Sequence, residues 1–222
     1  MAMKAYYPVY LDIEGKKCVV VGGGAVAARK VRSLAEAGAE VIAVSPAFCS
    51  ALREQARRGR ATLKRKRFES RDLDGAFVVI ACTDDRRVND RVYKATKRRG
   101  ILVNVVDSAE QCDFIVPSVV SRGGLNIAIS TSGISPALSR RIREDLEKSY
   151  GRGYAVFLSL MGKCRETVLR EVPVAKERKR IFEALTEPDF VAGITSQPSK
   201  GAKRHFEEKL KMLLAGVRSN HV

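Results

Sequence analysis

The segment Cys18-Val-Val-Val-Gly-Gly-Gly24 constrains the fold more than any other part of the chain. A continuous β-branched run is what a strand buried on both faces requires, and such strands belong to parallel sheets covered by helices. The glycines lead into a helix-like stretch from Ala25 to Ala37, which Gly38 closes in the C′ position. The alternation then repeats. Val41–Val44, Thr62–Lys66, Phe77–Ala81 and Ile101–Val105 read as strands, the second of these amphipathic and therefore nearer an edge. Cys49–Arg58 and Arg86–Arg99 read as helices, stopped by Gly59 and Gly100. Strands separated by helices of this length predict βαβ units and a parallel sheet.

After Asp107 the rhythm changes. Phe114–Val120 and Leu125–Ser130 are strand-like runs joined by Arg122-Gly123-Gly124 with no helix between them, which predicts a small antiparallel extension and a candidate dimer element. Ser135-Pro136 opens a helix with Ser as N-cap and Pro at N1, and Leu138, Ile142 and Leu146 form its apolar stripe. Gly151-Arg-Gly153 breaks that helix. Further helices are expected over about 154–170, 176–186 and 202–215, with Glu187–Gly201, which holds two Pro and two Gly, as a loop. No internal repeat is present. The fold class is α/β: a Rossmann-like parallel-sheet domain over 1–113, a small α+β region over 114–150 that carries the candidate dimer element, and a C-terminal helical domain over 151–222.

A strand, Gly22-x-Gly24 and a helix in succession place backbone N–H groups and a positive helix end against whatever sits above the turn. That arrangement favours a pyrophosphate. Ala27 fills the third position of the fingerprint and still allows close packing of helix on strand. One expected part is missing. The second strand ends Val44-Ser45-Pro46-Ala47, without the acid that normally meets the ribose hydroxyls, and Glu40 lies at the strand's other end. No Arg follows immediately to welcome a 2′-phosphate. Ser45 and the backbone of the Pro46 turn are the candidates to hold the ribose, and NAD is favoured over NADP only weakly by the residues themselves. Thr83, after the fourth strand, is a further candidate contact, with Asp84 or Asp85 capping the next helix.

The 41 Lys and Arg exceed the 25 Asp and Glu by enough to give a formal charge of +16, a field that attracts anionic partners. The run Arg57–Arg67 reads as a solvated edge, and without interleaved aromatics or a base-reading motif no nucleic-acid partner is expected. Five widely spaced cysteines with no C-x-x-C point to reduced structural thiols rather than zinc or a disulfide framework. Neither His205 nor His221 is expected to hold a metal. No apolar run approaches a membrane span, and Asp12, Glu14, Lys16 and Lys17 interrupt any secretory core, so a cytoplasmic protein with no membrane partner is expected.

Six segments, in order, carry a family resemblance: Tyr7-Pro-Val-Tyr-Leu11, Val20-Val-Gly-Gly-Gly-Ala-Val-Ala27, Ala81-Cys-Thr-Asp-Asp85 with Val88-Asn89, Asn104-Val-Val-Asp107, Phe114-Ile-Val-Pro-Ser118, and Ser130-Thr-Ser-Gly-Ile-Ser-Pro136. Over about residues 6–150 the chain resembles the precorrin-2 dehydrogenase and sirohydrochlorin ferrochelatase family of siroheme synthesis. The resemblance implies a homodimer that oxidises precorrin-2 to sirohydrochlorin with NAD as hydride acceptor, and in bifunctional members inserts Fe2+ into the product. It places cofactor contacts on Ala25 and Val26 and on Pro46 and Ala47, and the essential carboxylate on Asp107. The absent acid after the second strand is tolerated in that family. Arg122, Arg140 and Arg141 are candidates to bind the polycarboxylate substrate, and Thr131 and Ser132 lie on a turn near the expected cleft. A nucleotide-sensing regulatory domain, which opens with the same glycine turn but usually keeps the missing acid, is the competing reading.

Overall fold

The computed structural model describes residues 5–219, with the side chains of 218 and 219 left aside, so His221 lies outside the described residues. The chain divides into two compact units, Met1–Val116 and Pro117–Val222. The first is a five-stranded parallel sheet in the order β3-β2-β1-β4-β5. Its strands are β1 Lys17–Val21, β2 Glu40–Ser45, β3 Thr62–Arg65, β4 Val78–Ala81 and β5 Leu102–Val105. The chain starts in the middle, runs outward through β2 to β3, then returns to the other side of β1 for β4 and β5. The amphipathic β3 is at an edge, as its composition implies.

Alternation along the strands divides the core into two layers. Cys18, Val20, Val41, Ala43, Val78 and Ile80 face α1 (Ala25–Glu36) and α2 (Ser50–Arg57), packing on Ala27, Ala28, Val31 and Leu52. Val19, Val21, Val44, Val79, Ala81, Val103 and Val105 face the other way, onto Val92 and Ala95 of α3 (Arg86–Lys97). Because both faces are covered, β1 and β4 can be apolar almost throughout. Gly38, Gly59 and Gly100 stop the three helices in the left-handed conformation, with φ of 80°, 69° and 65°.

In the second unit, β6 (Ser118–Arg122) and β7 (Leu125–Ile129) form an antiparallel hairpin, with Ser118 opposite Ile129. The first strand therefore begins at Ser118, four residues later than the sequence run suggests: Pro117 has no N–H to give a ladder and the preceding segment stays outside the pair. In α4 (Pro136–Ser149) the side chain of Ser135 accepts the Leu138 N–H at 3.2 Å, the expected cap. The apolar stripe of α4 is not the buried side of the helix. Leu138 and Ile142 are exposed, and the buried position is Ser139, whose hydroxyl donates to the Ser135 carbonyl at 3.0 Å.

Four more helices complete this unit: α5 Gly153–Glu171, α6 Ala175–Leu185, α7 Pro188–Thr195 and α8 Ser199–Ser219. Phe157, Ile181, Leu185, Phe190, Ile194 and Phe206 are central to their core. Helix α7 replaces the loop expected over 187–201. Pro188 sits at N1, where its missing N–H costs nothing, and Phe190 and Ile194, one turn apart, bury against α8 and α5.

Candidate active site

The carboxyl ends of the parallel strands carry a cavity of about 900 Å3 at the glycine turn. It lies where the strand order reverses, the place at which open α/β sheets bind ligands. All eight residues expected at the nucleotide line it: Gly22, Gly24, Ala25, Val26, Ser45, Pro46, Ala47 and Thr83. Helix α1 begins there with Gly24 as N-cap and no side chain satisfying its first N–H groups, so these amides and the positive helix end are available to an anion.

Each glycine answers a different steric demand. At Gly22 the backbone φ is 146° and a Cβ would lie 2.7 Å from the Cys82 carbonyl oxygen. At Gly23 a Cβ would overlap the Ala47 carbonyl and come within 2.6 Å of Ser45 Oγ, because the glycine turn is pressed against the turn after β2. The Cys49 N–H donates to the Gly23 carbonyl at 2.8 Å and holds the two turns together. At Gly24 a Cβ would meet nothing within 4 Å. That position is bare on the cavity side and leaves room for a dinucleotide to approach the backbone. The surroundings thus fit a pyrophosphate-bridged nucleotide. Sequence reasoning counted only the first and third glycines; the run of three was the signal for the second.

A second cavity, of about 600 Å3, adjoins the first, with Thr83 and Asp84 lining both. Asp107 opens onto it beside Asn89, Asp90, Ser108 and Gln111. Asp107 follows β5 and holds φ at 62°, a left-handed conformation that Asp tolerates better than most residues and that turns the chain at the strand end. Thr83 is fixed between the two cavities by Asn89, a buried side chain outside the expected site residues. Asn89 Oδ1 accepts from Thr83 Oγ1 at 2.9 Å, and its Nδ2 donates to the Thr83 carbonyl at 2.9 Å. Asp85 caps α3, accepting the N–H groups of Arg87 and Val88 at 2.9 and 3.3 Å, while Asp84 stays at the cavity wall. Burial pushes the Cys82 thiol, on the floor beneath Gly22, up to about 11, with Lys30 pulling in the opposite direction.

The candidate substrate residues belong to the second unit and are dispersed within it. Arg140 and Arg141 line a shallow groove along α4 with Lys148, where Arg140 pairs with Glu144 at 2.9 Å. Arg122 instead donates to the backbone carbonyls of Tyr150 and Ser121 at 3.0 and 2.8 Å, tying the hairpin end to the chain after α4. Thr131 is engaged with Ser135 and Ser139 in the turn before α4, and Ser132 in that turn has φ of 52°. Among the described residues no cluster of three or more His, Cys, Asp or Glu side chains is arranged to hold a metal ion.

Fold and cavity together define an NAD(P)-binding Rossmann domain. Residues 9–118 match the NAD(P)-binding family model NAD_binding_7, and residues 122–149 match the model of the sirohaem biosynthesis protein central region. The siroheme synthase of Nitrosospira multiformis is 38% identical over 93% of this chain and 44% of its own length. That of Photorhabdus laumondii is 35% identical over the same shares. A solved structure of SirC, a precorrin-2 dehydrogenase, is similar with a TM-score of 0.76 and 29% identity, covering 93% of this chain and 100% of that one. The chain belongs to the precorrin-2 dehydrogenase and siroheme synthase family. It spans 44% of the length of the first two of these relatives.

Proposed function

We propose that this protein oxidises precorrin-2 to sirohydrochlorin, with NAD as hydride acceptor. The observation that carries the reading is the pair of adjoining cavities sharing Thr83 and Asp84, one floored by the glycine turn and the other holding Asp107. Conversion of precorrin-2 to sirohydrochlorin removes two electrons and two hydrogens, one leaving as hydride and one as a proton. When bound, the dinucleotide supplies the hydride acceptor. The chain's own part is to hold and orient both molecules and to take the proton. The amides of the glycine turn and of the α1 N-terminus bind the diphosphate, Ser45 and the Ala47 turn face the ribose, and Asn89 keeps Thr83 in place at the junction of the cavities. The Asp107 carboxylate accepts the proton and passes it to solvent, to which it is exposed.

The net charge of +16 supports capture of a substrate that carries carboxylates around its ring, and Arg140 and Arg141 are the proposed contacts. Fe2+ insertion into the product, with Asp107 taking the pyrrole protons, is the proposed second activity. A homodimer, acting in the cytoplasm, is proposed through the second unit. Ile134, Leu138 and Ile142 are 69, 49 and 36% exposed around the start of α4, an apolar surface that a second copy would cover.

Anaerobic mixing of the purified protein with precorrin-2 and NAD+ tests the reading. Sirohydrochlorin and NADH should appear in equal amounts, and Fe2+ added afterwards should be incorporated faster than without protein. No turnover above that of Asp107→Asn would defeat it. Analytical ultracentrifugation reads the dimer, which Ile142→Lys should dissociate.

A further inference from the structure

We infer that the adenosine end of the cleft accepts a 2′-phosphate, so that the protein binds NADP+ as well as NAD+, with Arg67 as the specificity-determining residue. The inference rests on the dinucleotide reading above and names the nucleotide class that this end of the site takes. Sheet register carries it. β2 pairs with β3 so that Ser45 stands beside Arg65, and the chain beyond Arg65 brings Arg67 into the lining of the cavity that Ser45, Pro46 and Ala47 also line. The arginine missing after β2 in the sequence is supplied by the segment that follows the neighbouring strand. Arg65 Nε donates to the Pro46 carbonyl at 3.2 Å, which places a second guanidinium against the same turn.

The charge balance at this end has one sign. Where folds selective for NAD place a carboxylate, there is the Ser45 hydroxyl, which can donate to a ribose oxygen or to a phosphate oxygen. The acids that line the cavity, Asp84 and Asp85, follow β4, and β1 lies between β4 and β2. Two strand spacings separate them from Ser45, about 10 Å in the hydrogen-bonding direction. Asp85 is also committed to capping α3. Glu69 and Asp72, the acids nearest Arg67 in sequence, are engaged by Lys66 and Arg71. The Arg67 guanidinium is left for an incoming anion, and its planar fork suits phosphate in a way a lysine would not.

Calorimetric titration of the purified full chain with NAD+, NADP+, 5′-AMP and adenosine 2′,5′-bisphosphate tests this. NADP+ should bind within about threefold of NAD+, and the bisphosphate about tenfold more tightly than 5′-AMP, the size of one charge-assisted contact. Arg67→Ala removes the guanidinium, and Ser45→Asp restores the repelling carboxylate. Each should lower the NADP+ to NAD+ affinity ratio about tenfold, with thermal melts confirming that the variants are folded. A hundredfold preference for NAD+ in the unaltered protein, or a ratio that Arg67→Ala leaves unchanged, overturns the inference while the dinucleotide reading stands. If neither dinucleotide binds, both fall together.

Discussion

Replacing Gly23 and Gly24 separately by Ala divides packing from binding within one turn. A Cβ at Gly23 would lie 2.6 Å from Ser45 Oγ and 3.0 Å from the Ala47 carbonyl carbon, and would overlap the Ala47 oxygen. Optimal carbon contacts are about 3.5–4.0 Å, so the two turns must part by roughly 1 Å or more. Overpacking of this kind costs about 1–3 kcal/mol. Parting the turns also strains the Cys49 N–H to Gly23 hydrogen bond, worth about 1 kcal/mol net. The sum, about 2–4 kcal/mol, corresponds to a loss of roughly 8–17 °C in the melting temperature of a unit this size. Gly24→Ala meets nothing within 4 Å and sits at φ −88°, ψ −170°, a conformation open to Ala. It should melt with the unaltered protein. Its methyl group would stand where the dinucleotide approaches the backbone, so dinucleotide affinity should fall about tenfold or more. Calorimetric melts and nucleotide titrations of the two variants read both effects. A Gly23→Ala protein with unchanged melting, or a Gly24→Ala protein with unchanged affinity, would refute the steric reasoning.

Asp107→Asn keeps a residue that accepts the left-handed φ of 62°, so it isolates the carboxylate: kcat for precorrin-2 oxidation should drop about 100-fold or more, and a rate within threefold of normal would remove Asp107 from the chemistry. Burial holds the thiols of Cys18, Cys82 and Cys164 up at about 11 against an ordinary 9. The folded state therefore keeps protons that the unfolded chain gives up near pH 9, and these thiols make folding less favourable as pH rises from 9 toward 11. Urea melts should show that slope, reduced in a Cys18→Ala, Cys164→Ala double variant; an unreduced slope would contradict the assignment. In the helical core, Phe206 is buried with its ring centroid 6.1 Å from Phe157 and 5.9 Å from Phe190. Phe206→Ala should cost about 3–5 kcal/mol in denaturant unfolding of that unit, and a loss under 1 kcal/mol would show the site repacks.

The parallel sheet was legible because its signal is local and redundant. Continuous β-branched runs, a glycine after each helix and the Gly22–Gly24 turn each demand the same arrangement, and the observed strands differ from the expected ones by a residue or two. The helical unit was less legible. Pro188, Gly193 and Pro198 read as breakers, yet Pro188 is harmless at N1, and the Phe190–Ile194 pair gains enough from burial to carry Gly193 inside a short helix. Along α4 the apolar spacing correctly marked a helix, but spacing alone does not say whether a stripe meets this chain's own core. In the cleft, residues adjacent in sequence to the glycine turn and the strand ends were recoverable. Arg67 was not, and Asn89 stood in a motif without a role: one arrives through register between β2 and β3, the other grips Thr83 through the packing of α3 against the loop after β4. Both depend on contacts across strands and helices that no local pattern specifies.

The most direct measurement is a crystal of the protein soaked anaerobically with a pyridine dinucleotide and precorrin-2. The diphosphate should lie on the amides of Gly22–Gly24, with the Asp107 carboxylate within about 3.2 Å of the tetrapyrrole or of one water bridging to it. Density for the diphosphate away from that turn, or a tetrapyrrole bound out of reach of Asp107, would contradict the account.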